Sequence, residues 1–345
     1  MTTANNEQKS QGPLRVGLIA DGERLTALAA AIDACLLIQP FGQAGMPQAA
    51  AVRDVPWFDD PRVLLAQPGL EAVMLALSTR VHVELATMAA ARGLHVWHPP
   101  PLARNFAEAT EVVARNKRAT NIQRVASWWE YVADQVWHQL RWPTDFKPLF
   151  SEIRVSARGP VLATSRISAA DTGGGVLASD VYPLLEALVA VRGLPESASG
   201  AVGTYRKNAE GQTRPTEDTV VALLRYTGGG IGVIRATWDL PPLERQIIHY
   251  GQSVRVTLTD ESASLADDEG VEIDQHPLPG DFLAHELMHF AALVRGQARD
   301  RAAAALEQHL AVSALLETIY LSARTGHPES PGKFYQVQGW PEPRS

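Results

Sequence analysis

The fold is decided by residues 14–34, which read LRVGLIADGERLTALAAAIDA. The first seven of these residues form the short apolar run that is typical of a buried parallel β-strand. Gly22 allows a tight turn after this run, and the alanine-rich segment that follows predicts a helix over residues 25–34. A strand, a tight turn and a helix in this order open a βα unit.

The same alternation continues through the first third of the chain. Strands are predicted over residues 35–38, 72–77 and 94–97, and helices over residues 83–91 and 105–117. Strands that alternate with helices through short connections predict a parallel sheet covered by helices on both faces. We therefore predict a polar tail over residues 1–12 and a Rossmann-like, doubly wound domain over residues 13–121.

Beyond residue 121 the pattern changes to short β-rich runs separated by turn residues. Successive strands without intervening helices predict an α/β domain over residues 122–345, built on a large open and mostly antiparallel sheet. Helices are expected there over residues 176–191, 282–295 and 301–323. Because such a sheet leaves one face without helices, we expect a homo-oligomer that forms through this face, with Val233 and Trp238 in the contact.

The composition excludes several functional classes. The 345 residues are 46% hydrophobic and 20% charged, as in soluble globular proteins, and the net charge of −7 opposes binding to a nucleic-acid backbone. The longest apolar stretch, residues 25–38, contains Asp33 and is shorter than the roughly 20 residues that cross a bilayer. The single cysteine, Cys35, excludes an intramolecular disulfide and a multi-cysteine metal site. We expect a cytoplasmic protein.

Three passages occur in the order found in one known family. They are AVMLALSTRVHVELATMAAARGLHVWHPPPLA at residues 72–103, TGGGVLASDVYPLLEALVAVRG at residues 172–193, and FLAHELMHFAALVRG with LLETIYLSARTG inside residues 282–327. These passages resemble the Gfo/Idh/MocA family of NAD(P)-dependent oxidoreductases, which act mostly on sugars and polyols. The resemblance implies a Rossmann domain that binds NAD or NADP, an open-sheet domain, and a small sugar-like or polyol ligand.

The cofactor positions depart from the family's pattern. Of the glycines in the dinucleotide-binding turn only Gly22 is present, and Asp21 and Glu23 put negative charges where a pyrophosphate would lie. Gln39 takes the place of the acidic residue that holds the adenosine ribose. Ser78 and His98 follow predicted strands at the edge where open α/β sheets bind ligands, so they join Gly22 and Gln39 as candidate cofactor-binding residues. His82 is expected to be a capping or packing histidine.

The catalytic positions depart from the pattern as well. Residues 99–101 are all proline, so the lysine of the family's Glu-Lys-Pro motif, which hydrogen-bonds the reacting hydroxyl, is absent. The paired Asp and His of the second motif become Ser179 and Pro183 in one alignment, and Ala178 and Tyr182 in the other. Tyr182 remains as the candidate acid–base group. We interpret the chain as a degenerate member with lost or impaired hydride transfer and a ligand-binding or assembly role; the alternative is an active oxidoreductase that uses Tyr182.

A zinc hydrolase is a further alternative. Residues 285–289 read HELMH, and on a helix His285 and His289 share one face that can bind zinc while Glu286 polarises a water molecule. Glu307 is a candidate third ligand. The segment also fits the oxidoreductase resemblance, with its apolar residues on a buried face, so we predict that no metal is bound.

Four tryptophans follow closely after the first predicted domain, at positions 128, 129, 137 and 142. Tryptophan rings stack on sugar faces, but they are more often core or interface residues. We predict the latter role for this cluster.

Overall fold

The computed structural model describes residues 12–45, 52, 54–143, 146–159, 172–207, 211, 213, 215–298 and 302–342. The chain forms two compact units, and each draws on three stretches of sequence. The first unit comprises residues 1–99, 113–126 and 281–306, and the second comprises residues 100–112, 127–280 and 307–345. The first unit therefore includes a helix from the region that the sequence assigned to the C-terminal domain.

The first unit contains a parallel sheet of six strands in the order β3-β2-β1-β4-β5-β6. The strands are β1 (Leu14–Ala20), β2 (Ile38–Gly45), β3 (Trp57–Phe58), β4 (Ala72–Ala76), β5 (His95–His98) and β6 (Gln123–Val125). The strand order reverses between β1 and β4, and an open α/β sheet forms its ligand crevice at such a point. The predicted doubly wound sheet is confirmed.

Within the described residues the α-helices are, in order, α1 (Gly22–Asp33), α2 (Pro61–Leu65), α3 (Thr79–Ala91), α4 (Phe106–Asn116), α5 (Trp128–Gln135), α6 (Val176–Ser179), α7 (Tyr182–Arg192), α8 (Phe282–Val294), α9 (Ala302–Thr325) and α10 (Gly332–Val337). A single helix was predicted over residues 176–191. It is instead divided between α6 and α7, and Asp180 and Val181 lie between the two.

Both faces of the six-stranded sheet are buried, as expected for a parallel sheet. On one face Val16 and Leu18 of β1 pack in the same cluster as Leu28 of α1 and Phe290 of α8. On the other face Ile19 of β1 belongs to a second cluster with side chains from β4, α2 and α3. This two-sided burial explains why β1 reads as a continuous apolar run.

The second strand was predicted too short. It spans Ile38–Gly45 rather than residues 35–38, and its pairing with β1 shifts register, so that Val16 faces Pro40 but Gly17 faces Gly42. Phe41 is thereby left out of the regular pairing. A proline and a bulge are unusual inside a parallel strand, which hid this strand from sequence reasoning.

The second unit contains a sheet of eight strands in the order β14-β13-β12-β11-β7-β10-β9-β8. The strands are β7 (Phe150–Ala157), β8 (Ser197–Gly203), β9 (Thr219–Arg225), β10 (Ile231–Trp238), β11 (Glu244–Tyr250), β12 (Val254–Thr259), β13 (Ser262–Asp267) and β14 (Glu272–Pro277). All neighbours pair antiparallel except β7 and β10, which are parallel. The predicted mostly antiparallel sheet is confirmed.

Alternate residues of β9 and β10 are buried and exposed, so this part of the sheet has one covered face and one open face. Val233 lies on the open side, where it pairs with Leu223. Trp238 was expected on the same side, which is wrong: it is buried, and its indole nitrogen donates to Asp180. Positions five residues apart on a strand point to opposite faces.

Three of the four tryptophans form an aromatic cluster with partly exposed rings. The ring centroid of Trp137 lies 4.8 Å from that of Trp129 and 4.2 Å from that of Trp142. The indole nitrogen of Trp142 donates to the carbonyl of Trp137 at 2.8 Å. Trp128 is buried beside them in sequence, at the start of α5.

Candidate functional site

The turn after β1 holds Gly22, the glycine that the sequence identified as a candidate cofactor-binding residue. Asp21 is extended and precedes α1, and Gly22 follows with a φ of +48°, a value that favours glycine. A Cβ atom built on Gly22 would have no neighbour within 4 Å, so the approach to the start of α1 is open. The backbone here can present N–H groups to an anion.

The side chains of this turn do not fit a dinucleotide. The carboxylate of Asp21 makes no capping hydrogen bond to α1 and adds negative charge where a pyrophosphate would lie. The guanidinium of Arg24 donates to the carbonyl of Leu77 at 3.0 Å, so this side chain bridges the start of α1 and the end of β4 at the crevice. Leu25 occupies the third glycine position and is fully buried. The side chain of Glu23 lies outside the described part of the chain.

Gln39 lies at the wrong end of its strand for a ribose contact. It is the second residue of β2 and pairs with Arg15 near the start of β1, whereas Gly45 pairs with Ala20 at the carboxyl end. The expectation that Gln39 follows the strand was therefore wrong. The glutamine nearer that end is Gln43, which is buried and bonds the backbone of Val52 and Val55 at 2.9–3.0 Å.

His98 ends β5 as predicted, but it is fully buried. Its ring stacks on that of His82, with centroids 4.5 Å apart, so His82 has the predicted packing role. The Nδ1–H of His98 donates to the carbonyl of Pro99 at 2.9 Å, which leaves Nε2 to accept from Gln123 at 3.2 Å. Burial lowers the pKa of His98 to about 4 and keeps the imidazole neutral. Ser78 precedes α3, is partly exposed, and makes no side-chain cap.

The glycine triplet in the second unit has a structural cause. The carboxylate of Glu217 accepts the N–H of Gly175 at 2.8 Å and the N–H of Leu177 at 3.1 Å, and it also accepts the hydroxyl of Tyr320 at 2.7 Å. A Cβ on Gly175 would lie 1.9 Å from the Glu217 carbonyl oxygen, and one on Gly174 would lie 2.0 Å from the Tyr320 hydroxyl. These glycines therefore permit the close packing of Glu217 and Tyr320 around the start of α6.

Tyr182, the candidate acid–base group, lies in the core of the second unit with 0% of its surface exposed. Its hydroxyl is 3.2 Å from Nδ1 of His309, and the two rings are stacked. The Nε2 atom of His309 is 3.6 Å from Glu186, which also accepts a hydrogen bond from Ser127. Burial, and then the charge of Glu186, raise the pKa of Tyr182 above its usual value. In this arrangement Tyr182 has no exposed surface, and the cavity that it lines has a volume of about 10 Å³, which is about the size of one water molecule.

Polar side chains line an open cleft of about 590 Å³ at one end of β7, β11 and β12, which are inner strands of the eight-stranded sheet. Asp180 accepts hydrogen bonds from Ser179 and from the Trp238 indole, each at 2.8 Å. Arg245 forms an ion pair with Asp260, whose pKa is raised by burial. Carboxylates, a hydroxyl and a guanidinium in one cleft can bind a hydroxyl-rich molecule.

The sequence patterns did not indicate a ligand-binding role for Asp180, Arg245 or Asp260. The only local signal was Asp180 in the loop after the glycine triplet. Arg245 lies on β11, and Asp260 directly follows β12. The antiparallel pairing of these two strands brings the two residues together.

The HELMH segment lies on α8, but its glutamate is not available to a metal-bound water. Glu286 is 1% exposed and accepts two hydrogen bonds from Arg124, from Nη2 at 2.7 Å and from Nε at 3.1 Å. The rings of His285 and His289 have centroids 6.4 Å apart. Glu286 thus stabilises the core of the first unit through a buried ion pair, whereas a zinc hydrolase needs this glutamate beside a metal-bound water molecule.

Comparison with known proteins supports the fold assignment. Residues 26–127 match the family model described as the oxidoreductase family with an NAD-binding Rossmann fold, GFO_IDH_MocA. No curated protein matches the chain. Among the helices of the described chain, none has the length and apolar character to cross a membrane.

Solved oxidoreductases share the fold over nearly the whole chain. UDP-N-acetylglucosamine 3-dehydrogenase from Acidithiobacillus ferrooxidans has a TM-score of 0.73 at 16% identity, covering 90% of this chain and 98% of its own. An oxidoreductase from Agrobacterium radiobacter, solved with NAD+, L-tartaric acid and magnesium, has a TM-score of 0.72 at 16% identity, covering 93% and 99%. An NAD-binding oxidoreductase from Klebsiella pneumoniae has a TM-score of 0.72 at 19% identity, covering 92% and 98%.

Proposed function

We propose that this chain, whose residues 26–127 match the oxidoreductase family model, is a member of the Gfo/Idh/MocA family that binds a small ligand without transferring hydride. The burial of Tyr182 carries the proposal, because this residue is the remaining acid–base candidate and has 0% exposed surface. The prolines at residues 99–101 offer no side-chain proton donor in place of the family's lysine. A bound substrate hydroxyl would thus find no group to take its proton.

Weak dinucleotide binding is the second part of the proposal. A bound NAD or NADP would supply the hydride acceptor, and the turn at Gly22 would have to hold its pyrophosphate. The carboxylate of Asp21 repels that anion, and Arg24 would have to leave the Leu77 carbonyl to pair with it. Both effects weaken binding without preventing the fold.

The ligand in this proposal is a small polyol or sugar-like molecule held in the cleft at Asp180. Carboxylates accept pairs of hydrogen bonds from neighbouring hydroxyls, and the Arg245 guanidinium donates to hydroxyl or ring oxygens. Asp180 is already held by Ser179 and Trp238, so its orientation needs no rearrangement on binding. A pre-oriented acceptor lowers the cost of ligand ordering.

Calorimetric titration with NADH and NADPH, followed by an assay of NAD(P)-linked turnover on a panel of sugars and polyols, tests the loss of catalysis. We expect dissociation constants weaker than about 10 µM, on the order of −7 kcal/mol, and no turnover. The retained Gly22 turn favours the alternative of an active oxidoreductase. Turnover that is abolished in Tyr182→Phe would establish that alternative and reject ours.

Ligand binding in the cleft has its own test. Polyols that raise the melting temperature of the unaltered protein are then added to the Asp180→Asn variant, and the shift in its melting temperature is measured. The matched control is Asp268→Asn, which changes an exposed carboxylate outside the cleft lining. We expect the shift to disappear only in Asp180→Asn. An equal shift in both variants would place the ligand elsewhere.

Self-association through the open face of the eight-stranded sheet completes the proposal. Val221, Leu223 and Ile231 on β9 and β10 are 51%, 37% and 40% exposed, and all three point to this face. A two-fold contact would remove these apolar side chains from water. A cytoplasmic location is also part of the proposal, since the single cysteine suits a reducing compartment.

A further inference from the structure

The charges in the cleft at Asp180 do not balance. Among the residues that the structure describes, the charged groups of its lining are one guanidinium, that of Arg245, and three carboxylates, those of Asp180, Glu244 and Asp260. Two of these carboxylates have a cationic partner. Glu244 accepts a hydrogen bond from Nη2 of Arg235 at 2.5 Å, and Asp260 forms its ion pair with Arg245. The third carboxylate, that of Asp180, therefore decides the net charge of the cleft.

Asp180 has only neutral hydrogen-bond donors within the described part of the chain. The Ser179 hydroxyl and the Trp238 indole both donate to its Oδ2 atom, each at 2.8 Å, and Oδ1 accepts no hydrogen bond from a described residue. These donors orient the carboxylate without cancelling its charge. A negative carboxylate with one unused oxygen in an open cleft favours a cationic donor.

Arg245 does not neutralise Asp180, because this arginine has other partners. Its guanidinium is paired with Asp260 and lies 5.4 Å from the ring centroid of Trp128. Burial raises the pKa of Asp260, and the negative charge of Asp180 contributes to the same shift, so the two carboxylates repel each other. A cationic group of a ligand at Asp180 would reduce this repulsion.

The cleft suits an organic cation better than a metal ion. A metal ion needs several ligand atoms around one point, and within the described chain the three carboxylates do not place their oxygens within 4.8 Å of one another. The volume of about 590 Å³ lies in the range of pockets that hold small organic molecules. The Arg245 guanidinium in the same lining donates to hydroxyl oxygens, so the fitting ligand carries hydroxyls as well as a positive charge.

We infer that the ligand of this cleft is an amino sugar or an amino polyol, whose ammonium group donates to Oδ1 of Asp180 and one of whose hydroxyls accepts from Arg245. Because it names the ligand class of the same cleft, this inference rests on the proposed function. An ammonium group forms a charge-assisted hydrogen bond with a carboxylate, which is stronger than the bond that a hydroxyl forms. The cleft therefore prefers an ammonium group to a hydroxyl at this position.

Calorimetric titration of the full chain at neutral pH and low ionic strength tests this preference with two pairs of ligands. D-glucosamine is compared with D-glucose, and 1-amino-1-deoxy-D-glucitol with D-glucitol, because each amine has one ammonium group in place of a hydroxyl. We expect the amine of at least one pair to bind about tenfold more tightly than its neutral partner. N-acetyl-D-glucosamine, which carries no charge, should bind no more tightly than D-glucose.

Two variants locate the preference. In Asp180→Asn the amine should lose its advantage over the neutral ligand, because asparagine keeps the shape of the side chain without its charge. The matched control is Glu261→Gln, which removes an exposed carboxylate next to Asp260 but outside the cleft lining, and it should keep the preference. Thermal melting shows whether each variant is folded before it is titrated.

Equal affinities for the amines and their neutral partners would overturn the inference. A preference that persists in Asp180→Asn, or that falls equally in Glu261→Gln, would overturn it too, the latter by indicating a diffuse charge effect. Failure of the proposed polyol site is distinguishable from these outcomes. Binding of D-glucose or D-glucitol that is lost in Asp180→Asn, with no advantage for the amines, keeps the polyol site and rejects the ammonium preference, whereas the absence of saturable heat with all five ligands rejects both.

Discussion

Replacing Glu286 with leucine tests the reading of α8 as a core helix of the first unit. The side chains of Arg124 and Glu286 are 2% and 1% exposed and are joined by hydrogen bonds of 2.7 and 3.1 Å. Glu286→Leu leaves the guanidinium buried without its carboxylate, which costs about 3–5 kcal/mol. For a unit of this size we expect the melting temperature to fall on the order of 10 °C. Differential scanning calorimetry and urea unfolding measure the loss.

The paired variant Arg124→Met with Glu286→Leu removes both charges together. It should regain most of the lost stability, because a buried ion pair contributes little more than apolar residues of similar volume. Met288→Gln, an exposed change on the same helix, should shift stability by less than about 0.5 kcal/mol. A loss of less than about 1 kcal/mol in Glu286→Leu, or a double variant as unstable as the single one, would contradict a core role for this ion pair.

Three further outcomes follow from the structure. Gly175→Ala should unfold the protein at a temperature well below that of Gly203→Ala in a thermal melt, because its Cβ would lie 1.9 Å from the Glu217 carbonyl, whereas a Cβ on Gly203 would have no neighbour within 4 Å; equal melting would contradict this. The free energy of unfolding should decrease as the pH is lowered from 6.5 to about 4. In this range His98 takes up a proton in the unfolded chain, but in the folded protein the buried ring stays neutral because its pKa is lowered to about 4. His98→Gln should reduce this acid loss by about 3 kcal/mol, and an unchanged pH profile would refute it. Leu223→Glu should convert the expected dimer to a monomer in light scattering, and an unaltered mass would exclude the open sheet face as the contact.

The sequence by itself determined the order and type of most elements. The apolar run at Leu14–Ala20 and the buried stretch at Ala72–Ala76 identified two central strands, because a strand buried on both faces needs apolar side chains at every position. The β-rich run that contains Thr219–Arg225 likewise predicted a strand. The resemblance in residues 72–103 was confirmed by the match over residues 26–127. These features are local, so they can be read without knowing any distant contact.

The position of Gln39 depended on tertiary structure even within the first unit. Pro40 and the irregular pairing at Phe41 disguise a strand that continues to Gly45. The sequence of β2 has a weak strand propensity, but pairing with β1 stabilises the strand. Gln39, which was expected to follow the strand, therefore lies near its start. A pattern of side chains in one segment does not contain the partner strand that decides where pairing ends.

The chemistry of the candidate residues was decided by partners far along the chain. Tyr182 has its hydroxyl beside His309, 127 residues away, and Glu286 has its charge neutralised by Arg124, at a separation of 162 residues. Each motif fixes which groups are present, but burial and the nearest polar partner decide whether a group can bind a ligand or move a proton. Only the folded chain brings those partners within hydrogen-bonding distance, so the same residues that indicated catalysis in the sequence stabilise the core.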